Sequence, residues 1–274
     1  VYTTGDEEAF RERYPEVSPE AVVQFLTFDP ENPNSILRCV QGARENARTV
    51  REIISSEMWL ALNRFNMMVG TAAASRIPII DRGGFFGEVK LASQTFAGIT
   101  NSTMTHGEAW HWCRLGRQLE RADKTSRILD VKYFMLLRSV EDVGTAFDDL
   151  QWAAVLRSAS AFEMYRKRYG RIAVPKLVQF LMLDREFPRA VLYCLLVARD
   201  ALHAISGTPL GTFRHPPEKL LGQVCSELAY ATVDELIGSG LHEFIDDLQQ
   251  RINRVGDGVY DTFFALRAPE QFPE

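Results

Sequence analysis

Two stretches place a carboxylate and an imidazole three residues apart: Glu108-x-x-His111 and Asp200-x-x-His203. On a helix that spacing puts both groups on one face, and two such pairs plus two inward carboxylates build a di-iron bundle. Glu57, Asp184 or Glu243 would have to supply the other two. Asp200 is the shorter carboxylate, and His111 stands between Trp110 and Trp112, the setting of a packed, hydrogen-bonded histidine. A metal-binding bundle is therefore the third-ranked reading, and no metal or cofactor is expected.

A denser group of charges lies in "LGRQLERADKTSRILD", Leu115 to Asp130. Glu120 precedes Lys124 by four residues and Asp123 precedes Arg127 by four, the acid-before-base order that favours a helix. Arginine is preferred over lysine here, and its forked head suits buried pairing. Three readings follow. Arg117, Glu120 and Arg127 pair with Arg44, Glu45 and Arg48 as a structural brace; or the charges form a solvated face; or Arg117, Glu120, Arg121, Asp123, Arg127 and Trp152 bind a ligand such as an amino-acid carboxylate. The brace is favoured.

Nucleophile patterns are weaker. Ser158 and Ser160 read as helical, without a strand-turn-helix elbow. Cys39, Cys113, Cys194 and Cys225 are widely spaced, unlike a zinc or redox motif, and read as reduced thiols of a cytoplasmic protein. "DRGGFFGE" and "GTPLGTF" are glycine-rich but lack the strand and the Gly-Lys-Ser/Thr of a phosphate loop. The catalytic residues, if any, are unknown from sequence. A net charge of −5 argues against nucleic acid, and the longest apolar run, Ala190 to Ala198, is too short to span a bilayer.

The elements that must position these residues are helices. Strand signals are nearly absent, the exception being a short stretch at 76–80 that contains Pro78. A long helix is expected after Pro33, opened by Asn34-Ser35 and burying Ile36, Val40, Ala43, Ala47, Val50 and Ile54. Further helices are expected at 87–103, 106–137, 145–169, 175–183, 187–206, 217–236 and 240–265. Within 106–137, Trp112, Leu115, Leu119, Ala122, Ser126, Leu129 and Tyr133 make one packing seam. The fold class is all-α.

"VVQFLTFDPENPNSILRCVQGAR" from Val22 is matched by "LVQFLMLDREFPRAVLYCLLVAR" from Leu177 without a gap. The offset is a constant 155 residues, as from Asp29 to Asp184. This is a duplication. It suggests a helical bundle of two tandem repeats, 1–103 and 104–274, packed as one compact domain. The helix at 106–137 has no partner in the first copy, so the first copy is expected to lack its opening helix. An apolar groove there would be filled by a partner or by a second copy, making a homo-oligomer. Asp29 and Asp184 each precede a proline and a helix and are expected to brace that turn. Alternatively, Phe187 and Arg189 form a docking corner lined by Tyr165, Arg168 and Tyr169.

These segments, with "SILRCVQGARENARTVREIISSEMWLALN" and "GLHEFIDDLQQRINRVGDGVYDTFF", resemble the alpha-E domain family of bacterial proteins. The resemblance covers essentially the whole chain. It implies an opening helix of the kind missing from the first copy. It also implies association with a circularly permuted ATP-grasp protein and a transglutaminase-like peptidase. It supplies no catalytic residues. The expected function is a helical adaptor for an ATP-dependent peptide or amide ligase. The alternative is an enzyme subunit with an Arg/Glu site.

Overall fold

The computed structural model describes residues 7–75, 84–136 and 146–265. Among the described residues the elements are helical and no strand occurs. The stretch at 76–80 and the side chain of Tyr133 lie outside the described residues. No described helix is long and apolar enough to cross a membrane.

The chain divides into two compact units, Val1–Trp110 and His111–Glu274. The first holds α1 (Glu7–Arg13), α2 (Pro19–Phe28), α3 (Ile36–Thr49), α4 (Ser56–Ala74) and α5 (Phe85–Thr103). Serine hydroxyls start three of them: Ser18, Ser35 and Ser55 accept from the backbone N–H of Ala21, Arg38 and Met58 at 3.1, 3.2 and 3.1 Å. Each satisfies an otherwise orphaned helix N-terminal donor. The cap at Ser55 also explains a correction. The long helix expected after Pro33 is two helices, because Thr49-Val50 and Ile53-Ile54 are poor helix formers and Ser55 offers a better start. Of the expected stripe, Val40 and Ala47 are buried, Ala43 is exposed, and Val50 and Ile54 lie beyond the helix end.

The second unit contains most of α6 (Glu108–Leu136), then α7 (Ala146–Ser158), α8 (Phe162–Tyr169), α9 (Val174–Val178) and a π-helical turn (Gln179–Leu183). After these come α10 (Val191–Ser206), α11 (Pro216–Tyr230), α12 (Val233–Gly238) and α13 (Leu241–Phe263). Two expected helices are again split. Ser160 adopts φ +52° between α7 and α8, so it is not helical. Thr232 caps α12, donating its N–H to Glu235 Oε2 at 2.7 Å and accepting from Glu235 N–H at 3.3 Å, a reciprocal box.

The second unit's core draws on every helix from α6 to α13. The α6 seam enters it as expected: Leu115, Ala122, Ser126 and Leu129 are buried, with Trp112 and Leu119 packed at its edge. The first unit's core is smaller, centred on Phe28, Val40, Val69 and Phe85. Phe10 and Tyr14 stack at 5.2 Å, with Phe25 edge-on to both.

Candidate functional site

The charged residues singled out by sequence gather at two helix corners and along α6. At the corner between α2 and α3, Asp29 is 7% exposed. Its carboxylate accepts from Arg13 Nη1 at 3.2 Å, Tyr14 OH at 3.2 Å and the N–H of Glu31 at 2.9 Å. Ser35 Oγ donates to the Asp29 carbonyl at 2.8 Å, and Cys39 Sγ to that of Pro33 at 3.7 Å. Burial and then the Asp29 charge raise the Tyr14 pKa above its ordinary value.

The corner between the π-helical turn and α10 uses the same residue types. Asp184, also 7% exposed, pairs with Arg168 and accepts from the N–H groups of Glu186 at 2.8 Å and Phe187 at 2.7 Å. Cys194 Sγ donates to the Pro188 carbonyl at 3.5 Å. Arg121 Nη1 of α6 reaches the same carbonyl at 3.3 Å. Phe187 stacks on Phe180 at 4.5 Å, so it is tied into the core. Tyr165 is wholly buried, its hydroxyl accepting from Ala173 N–H at 3.0 Å. Both aspartates thus brace their turns, as expected.

Along α6 the charges sort by depth. Glu120 and Lys124 pair at 3.2 Å on the outside, whereas Asp123, nearly buried, holds Arg127 at 2.8 Å. Asp130 holds His242 of α13 at 2.7 Å. Buried Lys132 donates to Asp148 at 2.7 Å and to Gln151 at 2.6 Å, and lies 4.9 Å from the Trp152 ring centre. Trp152 is therefore a wall of the lysine site. Arg117 and Arg189 are half-buried, and each has its pKa lowered, first by burial and then by the positive charge of Arg121. On α3, Arg44 Nε donates to Asn63 at 2.7 Å beside the Trp59 ring, and Arg48 Nε pairs with Glu45 at 3.0 Å. The bonds described for Arg44 and Arg48 are local, within α3 or to α4.

Several structural roles escaped the sequence reading. Glu218, 2% exposed, accepts the N–H groups of Arg214 at 2.6 Å and His215 at 2.9 Å. Burial works against its charge, but the N–H groups of Arg214 and His215 and the nearby hydroxyls of Ser206 and Thr208 prevail and hold its pKa at about 2. The signal was present: Pro216-Pro217-Glu218 puts an acid at the third helical position, where it caps. The Lys132–Asp148 and Asp130–His242 pairs had none, since they join different helices.

The metal candidates are not assembled. His203 is buried with Nδ1 2.9 Å from the Thr208 carbonyl, and Asp200 pairs with Arg199 at 2.8 Å. Among the described residues no three His, Cys, Asp or Glu side chains could hold a metal ion. Burial pushes the Cys194 and Cys225 thiols up to about 12, so neither is a nucleophile at neutral pH.

The first unit carries an open groove of about 700 Å³ between α4 and α5. Leu60, Ala61, Phe65, Met68, Leu91 and Ile99 line it, with Glu57, Arg64 and Glu88 at hand. Leu60 and Leu91 are 53% and 63% exposed.

The chain belongs to the Alpha-E family, a predicted alpha-helical domain with a conserved ER motif, which matches residues 1–264. Two Glu-Arg dipeptides occur, Glu12-Arg13 and Glu120-Arg121, and each arginine bonds one of the two corners. An uncharacterised protein of Mycobacterium bovis is 23% identical over 253 residues, covering 88% of this chain and 28% of that protein. One from Mycobacterium tuberculosis is 22% identical over the same extent. The chain thus spans less than a third of the length of these relatives. No solved structure matches it.

Proposed function

We propose that this chain is a duplicated helical adaptor that docks an ATP-grasp-type peptide or amide ligase, and with it a transglutaminase-like protein. The observation that carries the reading is the α4–α5 groove. Its apolar floor and charged rim have the composition of a partner interface, and exposed leucines at its centre are the anchors such interfaces use. The charged residues support it too. Asp29, Asp184, Glu218 and Asp123 are committed to bonds that hold turns and helices together. The relatives are more than three times longer than the matched segment, which suits a module that works beside others.

The duplication is supported by the paired corners. Arg13–Asp29 and Arg168–Asp184, the N–H bonds of Glu31 and Glu186, and the thiol bonds of Cys39 and Cys194 all recur at the 155-residue offset. α2 and α3 begin at 19 and 36, and α9 and α10 at 174 and 191, the same offset again. The exposed thiols of Cys39 and Cys113 suit a reducing, cytoplasmic setting.

Co-purification with an ATP-grasp ligase at physiological salt tests the adaptor role. Leu60→Asp with Leu91→Asp should abolish capture while leaving the circular dichroism spectrum unchanged, because both side chains already face water. Equal capture by this variant removes the groove from the reading.

A second reading is favoured by the half-buried arginines. Arg121 repels both Arg117 and Arg189, and a substrate carboxylate beside Arg121 would relieve that repulsion. In that case the chain is an enzyme subunit, and Arg121→Lys lowers pathway turnover without lowering ligase capture.

A further inference from the structure

We infer that the groove between α7 and the loop after α8 binds an acidic, extended peptide of another protein, with a carboxylate on each side of an apolar residue. The groove has a volume of about 760 Å³, and its lining residues all belong to the second unit. Buried Ala153 and half-buried Phe162 and Ile172 give it an apolar floor, and exposed Arg157, Arg166 and Arg171 stand around them. Among the described residues no carboxylate pairs with any of the three arginines. Asp149 also lines the groove, and among the described residues it forms no ion pair. Arg157 and Arg166 instead lie over one ring, that of Phe162, at 4.7 and 5.8 Å from its centre. The ring's negative face attracts each cation and so draws two like charges toward each other. Arg171 sits on a fixed backbone: Gly170 turns the chain at φ +74°, and the buried Tyr165 hydroxyl lies 3.3 Å from the Arg171 carbonyl.

The duplication proposed above supplies an internal comparison. α1 and α8 begin at 7 and 162, again 155 residues apart. Where the second copy has Phe162, Lys167 and Arg171, the first has Glu7, Glu12 and Glu16. Arg11, the counterpart of Arg166, pairs with Glu7 at 2.6 Å, an ordinary i,i+4 ion pair. In the second copy the acid has become the ring, and Arg166 keeps its charge without a carboxylate. The neighbouring Arg13–Asp29 and Arg168–Asp184 pairs are common to both copies. Holding the corner therefore requires neither the ring nor the added cations. The excess of positive charge is also local, since the chain as a whole carries −5.

Charge and shape together specify the occupant. An arginine without an acid takes a carboxylate through two parallel N–H bonds. Arginines on both the α7 and the α8 side call for at least two carboxylates, and the apolar floor between them calls for an apolar side chain. An extended acidic peptide presents those groups in that order along one chain. Nucleic acid suits the groove less, because the acidic remainder of the chain repels a long polyanion. The site is separate from the α4–α5 groove and does not depend on the adaptor reading.

The test probes the whole chain with an array of short synthetic peptides, each with one Leu, Phe or Ile flanked on both sides by Asp or Glu. Fluorescence anisotropy then measures the best binder in solution. Changing its acids to the corresponding amides should weaken binding by roughly tenfold or more. Arg166→Glu in the chain should do the same, whereas Lys167→Glu, on the same helix but outside the groove lining, should change binding by less than about threefold. Circular dichroism checks that both variants keep the fold. Phe162→Ala, or Ser in place of the peptide's apolar residue, should weaken binding while leaving every charge in place. The proposal is overturned if no acidic peptide binds better than its amide form. Equal losses from Arg166→Glu and Lys167→Glu would reveal a diffuse basic surface and overturn it too, as would full binding by the peptide with Ser. Displacement of the peptide by a DNA oligonucleotide at lower concentration assigns the patch to nucleic acid instead. Self-association in sedimentation that Arg166→Glu abolishes assigns it to a second copy; either result overturns the proposal. No ligase enters the assay and Leu60 and Leu91 are untouched, so it can fail while the adaptor reading stands.

Discussion

Asp29 and Asp184 each tie an extended turn to an arginine and to the backbone that leads into the next helix. Asp184→Asn keeps an acceptor for the two N–H groups and loses the charge facing Arg168, so it should cost about 1 kcal/mol. Asp184→Ala leaves those groups without an acceptor and should cost about 1–3 kcal/mol. Urea unfolding followed by circular dichroism measures both, and equal stability of the two variants would remove the turn-bracing role. Glu218 gives a pH-dependent case. Its pKa is held at about 2 in the fold, below the ordinary carboxylate value, so the stability it contributes is full above that ordinary value. It is lost as pH falls toward 2. The gap in stability between wild type and Glu218→Gln should therefore be widest near neutral pH and close in acid. The aspartate turns were legible because proline and a helix start follow each one at fixed distance. The depth of Asp123 and the long-range partners of Asp130 and Lys132 were not, since i,i+4 spacing says which charges can meet on one helix and nothing about what covers them.

At the scale of elements, α6 and α13 are joined by Ser126 to Gln249 at 3.2 Å, Trp112 against Phe263 with ring centres at 5.2 Å, and Asp130 to His242. The His242 pKa is raised, first by its hydrogen bond to Asp130 and, against the effect of burial, by the charges of Asp130, Glu243 and Asp246. A raised imidazole pKa contributes stability that is complete below the ordinary histidine value and is lost as pH rises through the higher folded value. His242→Gln should thus lower Tm at pH 6 and have a much smaller effect at pH 9. A Tm difference independent of pH would show that packing, not charge, joins the helices here. Long, strongly periodic helices such as α6 and α13 could be read from sequence to within a few residues. The breaks could not. Ser55, Ser160 and Thr232 interrupt patterns whose apolar spacing continues across them, so the local cap competes with the periodicity and wins. α1 and α2 were missed for want of length, although the 155-residue offset from the helix at 174 marks α2.

For the molecule as a whole, the two units differ in how much apolar surface they bury. The second unites residues from all of α6–α13, including completely buried Leu156, Leu177, Leu195, Leu202 and Leu221. The first has Val69 and Phe25 completely buried, while Leu60, Met67, Leu91 and Phe86 are exposed and Ile36, Leu37, Phe65 and Met68 lie at its core's edge. Burial contributes roughly 25 cal/mol per Å² of apolar surface, so the unit with the thinner core should open more readily. Hydrogen exchange of the intact chain should show α3 and α4 amides exchanging before those of α10 and α13, by at least about tenfold in rate. Leu129→Ala, at a fully buried α6 position, should cost about 2–5 kcal/mol and accelerate exchange in α13. If a partner seals the exposed leucines of the first unit, its addition should slow exchange in α4 and α5 while leaving α10 unchanged. Equal protection of both units in the isolated chain would mean that the first is held by something other than its own core, and the exposed α4–α5 leucines would lose their standing as a surface waiting for a partner.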